Sequence, residues 1–125
     1  DQALKSCHEE NIPLHEAEQF LYEFDHAVIG GLLAEKWRLT GIMSNAIRYH
    51  HEPTADEKTA ESTYIIHAAD VLANRAGISN HLRPMEIPLD PAAEDYLGLP
   101  SEQYEVIMKV MSEEVARAQQ AFGID

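Results

Sequence analysis

Between Glu61 and Arg75 the chain carries one charged residue, Asp70, set among Ala60, Tyr64, Ile65, Ile66, Ala68, Ala69, Val71, Leu72 and Ala73. At 3.6 residues per turn this segment reads as a helix that is apolar nearly all round, and such a helix must be covered by other elements. The feature therefore demands a domain wrapped around one segment. It also poses a problem, because an ionised Asp70 left unpaired inside would cost several kcal/mol. A cation or a set of hydrogen bonds has to sit against it.

Helical spacing dominates the rest of the chain, and no alternating strand pattern survives anywhere. Gln2 to Glu10 reads as a helix broken by Asn11-Ile12-Pro13. Leu14, Ala17, Leu21 and Phe24 give the next helix an apolar stripe. Asp25 is placed to cap a helix from His26 to Trp37, with Ile29, Leu33 and Trp37 on its apolar face. Thr40-Gly41 opens a short helix in which Met43, Ala46, Ile47 and His50 share a face, and Pro53 stops it. Thr54-Ala55-Asp56-Glu57 has the spacing of a capping box and is expected to launch the helix that carries Asp70 and ends near Gly77. Ile78 to Leu89 reads as a loop. Asp90-Pro91 caps a short helix closed by Gly98, and Ser101 caps the last one, whose Val106, Ile107, Val110, Met111, Val115, Ala118 and Phe122 form a stripe against the body. The expected fold is all-α: a compact multi-helix domain of six to seven helices, one domain over 1–125.

Nine Lys and Arg against 22 Asp and Glu give a formal net charge of −13, which repels phosphate backbones and anionic headgroups, so neither nucleic acid nor membrane is an expected partner. The single Cys7 cannot form an internal disulfide, and a reducing compartment fits. No apolar run approaches the ~20 residues of a membrane span, and a soluble, cytoplasmic protein is expected. A chain that begins at Asp1 suggests a fragment or a processed or trimmed protein.

Three patterned histidines precede Asp70: His26 in Asp25-His26-Ala27-Val28-Ile29-Gly30, and the pair in His50-His51-Glu52-Pro53. With Asp70 they suggest a divalent-metal pocket drawn from three helices, since imidazole and carboxylate are metal-ligand types. Each has a blander reading. His26 one turn before Gly30 fits close helix packing as well as ligation. His50 and His51 diverge by ~100° on a helix, which suits two sides of a site or two ions. Glu52 fits an acceptor that orients an imidazole or a solvated charge, and His67, three residues before Asp70, fits a second shell or a buried His-Asp pair. His8, His15 and His81 have no such setting and are expected to face solvent.

In order and spacing, Asp25 to Gly30, Leu33 to Trp37, Ala46 to Pro53 and Ile66 to Ala73 resemble the HDOD domains, relatives of the HD superfamily of metal-dependent phosphohydrolases. Glu18 to Phe24 and Leu89 to Leu99 resemble that family too. The resemblance implies that His26, His50 and His51 fill the later histidine positions of the HD metal centre and Asp70 its final carboxylate. It also implies that the early His and the His-Asp dyad precede residue 1, making this the carboxy-terminal part of such a domain with a partial metal site. No His-Asp pair occurs here, and the Gly-Tyr-Pro of the cyclic dinucleotide phosphodiesterases is absent.

Three functions are weighed. The favoured one is a bacterial signal-transduction module with a vestigial or partial site for Fe, Mn, Mg or Zn, whose partners are other signalling domains or proteins or a small phosphorylated ligand. The second is a phosphohydrolase in which the same four residues hold ions that activate water. The third is an ion-free buried polar network around Asp70 and His67.

Overall fold

The computed structural model describes residues 2–78 and 86–123. Among them are seven helices and no strand: α1 Gln2–Glu10, α2 Leu14–Tyr22, α3 His26–Lys36, α4 Gly41–Tyr49, α5 Ala60–Arg75, α6 Pro91–Leu97 and α7 Ser101–Ala121, with a 3-10 turn at Pro53–Ala55. The all-α expectation holds. α1 packs on α2 and α2 meets α3; α3 lies along α4, α4 on α5, and α5 receives both α6 and α7.

Local chemistry sets most boundaries. Asn11, at φ 54, turns the chain between α1 and α2. The Asp25 carboxylate accepts the Val28 N–H at 3.0 Å, and Thr40 Oγ1 accepts Met43 N–H at 3.3 Å, as capping residues do. Asp90 caps α6 through the Ala92 N–H, and Gly98, at φ 60, closes it. At the end of α5 the Gly77 and Ile78 N–H groups donate back to Asn74 and Ala73, with Gly77 in the left-handed region that glycine adopts freely.

Four expectations are corrected. The segment at Thr54 is no capping box: α5 starts at Ala60, and Asp56 holds the approach instead. Asp56 Oδ1 accepts the N–H groups of Lys58 and Thr59, and Oδ2 accepts the hydroxyls of Thr59 and Thr63. Ser101 begins α7 without a side-chain cap. The α7 stripe is only partly covered: Ile107, Met111 and Val115 are partly buried, but no residue of that helix is fully buried and Val106, Val110 and Phe122 are largely exposed. On α3, Ile29, Leu33 and Trp37 are exposed, and the buried face is Ala27, Gly31 and Ala34.

Small residues on α3 decide where α4 lies. A Cβ at Gly30 would come within 2.8 Å of Ile47 Cγ2, and one at Gly31 within 2.9 Å of Arg48 Cβ and 3.3 Å of its Cα. The room left by Gly30 is thus taken by a neighbouring helix, and the close crossing carries the end of α4 toward the start of α3. α5 is less enclosed than its sequence implies: Thr63, His67, Ala68, Val71, Leu72 and Asn74 are buried, while Ile65 and Ile66 stand half in solvent. The loop expected from Ile78 to Leu89 falls largely on residues outside those described; Glu86 to Asp90 has no regular structure.

Candidate metal centre

The α3–α4 crossing delivers His26, His50 and His51 to one place. Each offers a ring nitrogen, and the three ligand atoms lie within 4.8 Å of one another. His51 Nε2 stands 2.9 Å from His26 Nε2, and the His50 and His51 rings lie 3.9 Å apart, centroid to centroid. The divergence expected of adjacent histidines does not occur. α4 ends at Tyr49, and the turn through His50 and His51 folds both rings to the same side.

Asp70 approaches from α5, its Oδ2 3.6 Å from His51 Nδ1, with a third of the side chain in solvent. Asn74 Nδ2 donates to the Asp70 carbonyl at 2.8 Å and reaches Oδ1 at 3.4 Å. The carboxylate is therefore at the lip of the helix packing and not in its interior, so the desolvation problem read from its apolar neighbours is milder than expected. An apolar cleft of about 500 Å³ between α4 and α5 opens beside it, lined by Met43, Ala46, Ile47, Ile66 and Ala69, with His50 and Asp70 at its edge.

The other expected residues divide. His67 is buried, but its ring does not meet Asp70: Nδ1 donates to the His50 carbonyl at 2.7 Å, and Nε2 accepts the Asp90 N–H at 3.0 Å. It fixes the backbone under the cluster and ties α5 to the start of α6. Glu52 is exposed, and its side chain makes no hydrogen bond among the described residues.

An acceptor of the kind looked for in Glu52 is found in Glu18 of α2. Its Oε1 lies 2.5 Å from His26 Nδ1, and Gln19 Nε2, one residue on, donates to Asp25 Oδ2 at 2.6 Å. His15, expected in solvent, is instead half-buried, its ring stacked on that of His51. His15, Glu18 and Gln19 recur three and four residues apart on one face of α2, which is the signal that could have found them. His8 is half-buried on α1, and His81 lies outside the described residues.

Burial, then the imidazoles of His50, His15, His26 and His67, push the His51 value down from 6.5 to about 2. Burial also lowers His15, against the opposing pull of Glu16, Asp25 and Asp70. A ring held neutral at physiological pH keeps a lone pair for a metal. The spacing fits as well: two nitrogens at right angles about a cation with bonds of about 2.1 Å stand about 3 Å apart, close to the 2.9 Å seen between the Nε2 atoms of His26 and His51. His50 Nδ1 donates to the Ile47 carbonyl at 2.7 Å, which leaves Nε2 with its lone pair. Three imidazoles with a carboxylate beside them form a donor set that fits a divalent metal.

The HDOD domain family model matches residues 1–53, a stretch that contains His26, His50 and His51 and stops short of Asp70. An uncharacterized protein of Treponema pallidum (strain Nichols) is 41% identical over 51 residues, which is 40% of this chain and 10% of that protein. The chain thus spans about a tenth of the length of the relative it matches. No solved structure matches the chain. No helix among the described residues is long and apolar enough to cross a membrane.

Proposed function

We propose, for a chain whose first 53 residues match the HDOD domain, a regulatory signal-transduction module that keeps a divalent-cation site at His26, His50, His51 and Asp70. The observation that carries the reading is the convergence of three imidazoles from the start of α3 and the turn after α4, with Asp70 facing the partly buried His51 from α5. His26, His50 and His51 supply nitrogen donors, Asp70 supplies charge, and the carbonyl bonds to His67 and His50 hold the turn that presents them. The imidazoles favour Fe or Zn over Mg, while the Asp70 carboxylate also suits Mn. A cation held there would act as a Lewis acid toward a phosphoryl oxygen.

Regulation is preferred to turnover because residues 1–53 match the HDOD domain, a resemblance that implies an output module of a regulatory protein. Other signalling domains or proteins, or a small phosphorylated ligand, are the proposed partners, and the charge of −13 argues against nucleic acid and anionic membrane. The alternative is a metal-dependent phosphohydrolase, favoured by the cleft that opens beside His50 and Asp70.

Calorimetric titration with Mn²⁺, Fe²⁺ or Zn²⁺ should show saturable binding that His50→Ala weakens at least tenfold. Assays with p-nitrophenyl phosphate, bis(p-nitrophenyl) phosphate and nucleotides should show no turnover. Metal-dependent hydrolysis abolished by Asp70→Ala would establish the phosphohydrolase instead, and failure of any ion to bind tightly would remove the cation site.

A further inference from the structure

Two consecutive residues of α2 hold two consecutive residues at the start of α3: Glu18 takes the ring of His26, and Gln19 takes the carboxylate of Asp25. Both contacts close across the elbow at Glu23, whose φ of 65 lets α2 end and the chain reverse. The Asp25 carboxylate is thereby fixed between the Gln19 amide and the Val28 N–H. The Glu18 side chain is one-fifth exposed, and the His26 side chain is nearly half exposed. Packing alone leaves a ring so exposed free to turn, so the hydrogen bond is what sets its direction.

We propose that Glu18 is the positioning residue of the histidine cluster, selecting the tautomer in which His26 carries its proton on Nδ1 and presents a lone pair on Nε2. The inference rests on the cation reading above for its purpose, but not for its chemistry. A carboxylate can only accept, so the His26 nitrogen facing Glu18 must be the protonated one. In a neutral ring the other nitrogen is then an acceptor. That acceptor is 2.9 Å from His51 Nε2, which must therefore donate. His51 Nδ1 is left with a lone pair 3.6 Å from Asp70 Oδ2. In the metal-free chain the bonds that begin at Glu18 thus end in two facing acceptors, and a cation that takes the His26 Nε2 lone pair displaces the His51 proton from that contact. Turning His26 over would reverse every step, so the orientation of the whole row is decided at Glu18.

The test is two-bond ¹H–¹⁵N correlation on the labelled, metal-free chain at about pH 8, above the ordinary histidine range. His26 should appear as the Nδ1–H tautomer in the parent chain. In Glu18→Ala the Nε2–H form should dominate, and Mn²⁺ affinity should fall 10- to 100-fold, the loss usual for a metal-orienting partner. Glu18→Gln keeps an accepting oxygen and should retain the Nδ1–H form, with a loss of only a few-fold. That variant guards against loss of fold in the alanine chain. Gln19→Ala should loosen the elbow without changing the tautomer. An Nε2–H His26 in the parent chain, or an unchanged tautomer in Glu18→Ala, would overturn the assignment whatever the metal does. A tautomer that switches in a parent chain with no Mn²⁺ affinity would uphold Glu18 and sink the cation reading alone.

Discussion

His15 lies flat against His51, with ring centroids 4.0 Å apart and planes 9° from parallel. The stack covers one face of His51 while His26 meets it edge-on and His50 leans on it from the side. Burial is the largest cause of the depressed His51 value, and the neighbouring imidazoles add to it. His15→Ala removes part of both effects. The His51 value should rise from about 2 toward 6.5, followed by NMR titration of its ring signals. A His51 midpoint that does not move between the parent chain and the variant would show that the stack contributes nothing.

Acid should weaken the fold in two steps. His51 and His15 have lowered values in the folded chain, so below 6.5 the unfolded chain takes up protons that the folded one refuses. Stability therefore falls as pH drops below 6.5, with a slope of up to about 1.4 kcal/mol per pH unit for each such ring. Asp56 and Asp25 enter lower down. Burial opposes their ionisation, but the Thr63, Thr59 and Lys58 donors at Asp56, and the Val28 and Gln19 donors at Asp25, outweigh it and lower both values. Their contribution is complete above the unfolded value of 3.8 and is lost as pH falls through the folded values. Urea unfolding between pH 8 and 3 should show a gradual decline and then a steeper one, and a flat profile from pH 7 to 5 would contradict the histidine step.

The Asp56 carboxylate is the joint between the 3-10 turn and α5. Removing it in Asp56→Ala leaves two N–H donors and the fully buried Thr63 hydroxyl without an acceptor. Such a loss costs about 3 kcal/mol. Thr63→Val removes one of the bonds and should cost about 1 kcal/mol. Denaturant midpoints report both, and equal effects would mean the Thr63 bond carries the whole joint.

Helix positions were legible in the sequence because caps act locally: Asp25, Thr40, Asp90 and Gly98 do in the fold what their chemistry suggests. His26, His50 and His51 were legible as a group because their neighbours repeat a family pattern, and the HDOD match covers all three. Burial was not legible. Ile29, Leu33 and Trp37 look like a core stripe, yet a glycine-containing face lets α4 come closer than those large side chains would allow. The role of α2 was hidden for another reason. Glu18 reaches His26 across an elbow, a contact set by the angle between two helices, and spacing along one helix says nothing about that angle.

The glycine pair on α3 separates helix preference from packing. Alanine at either site gains about 1 kcal/mol of helix propensity. At Gly30 the obstacle is Ile47 Cγ2, a methyl on the β-carbon of a residue stiff at χ1 in a helix, so the propensity gain is offset and Gly30→Ala should cost about 1 kcal/mol. At Gly31 the obstacle is Arg48 Cβ and Cα, which move only with α4. Gly31→Ala should destabilise by about 2 kcal/mol. Because α4 carries His50, cation affinity should fall with it, and thermal melts with calorimetry would show whether the two losses travel together.

His67 and His50 offer the sharpest contrast between architecture and chemistry. Both nitrogens of the buried His67 are used, one on the His50 carbonyl and one on the Asp90 N–H. A phenyl ring fills the space but leaves both backbone groups without their partner, so His67→Phe should cost about 3 kcal/mol. His50 uses only Nδ1, on the Ile47 carbonyl, and stands half-buried at the edge of the cleft. His50→Phe should cost about 1 kcal/mol. Cation affinity should rank the other way, with the direct donor lost in His50→Phe and only the supporting turn disturbed in His67→Phe. Unfolding curves and Mn²⁺ titration on the two variants measure both orders, and equal tolerance in stability would mean that His67 does not tie α5 to the turn below the cluster.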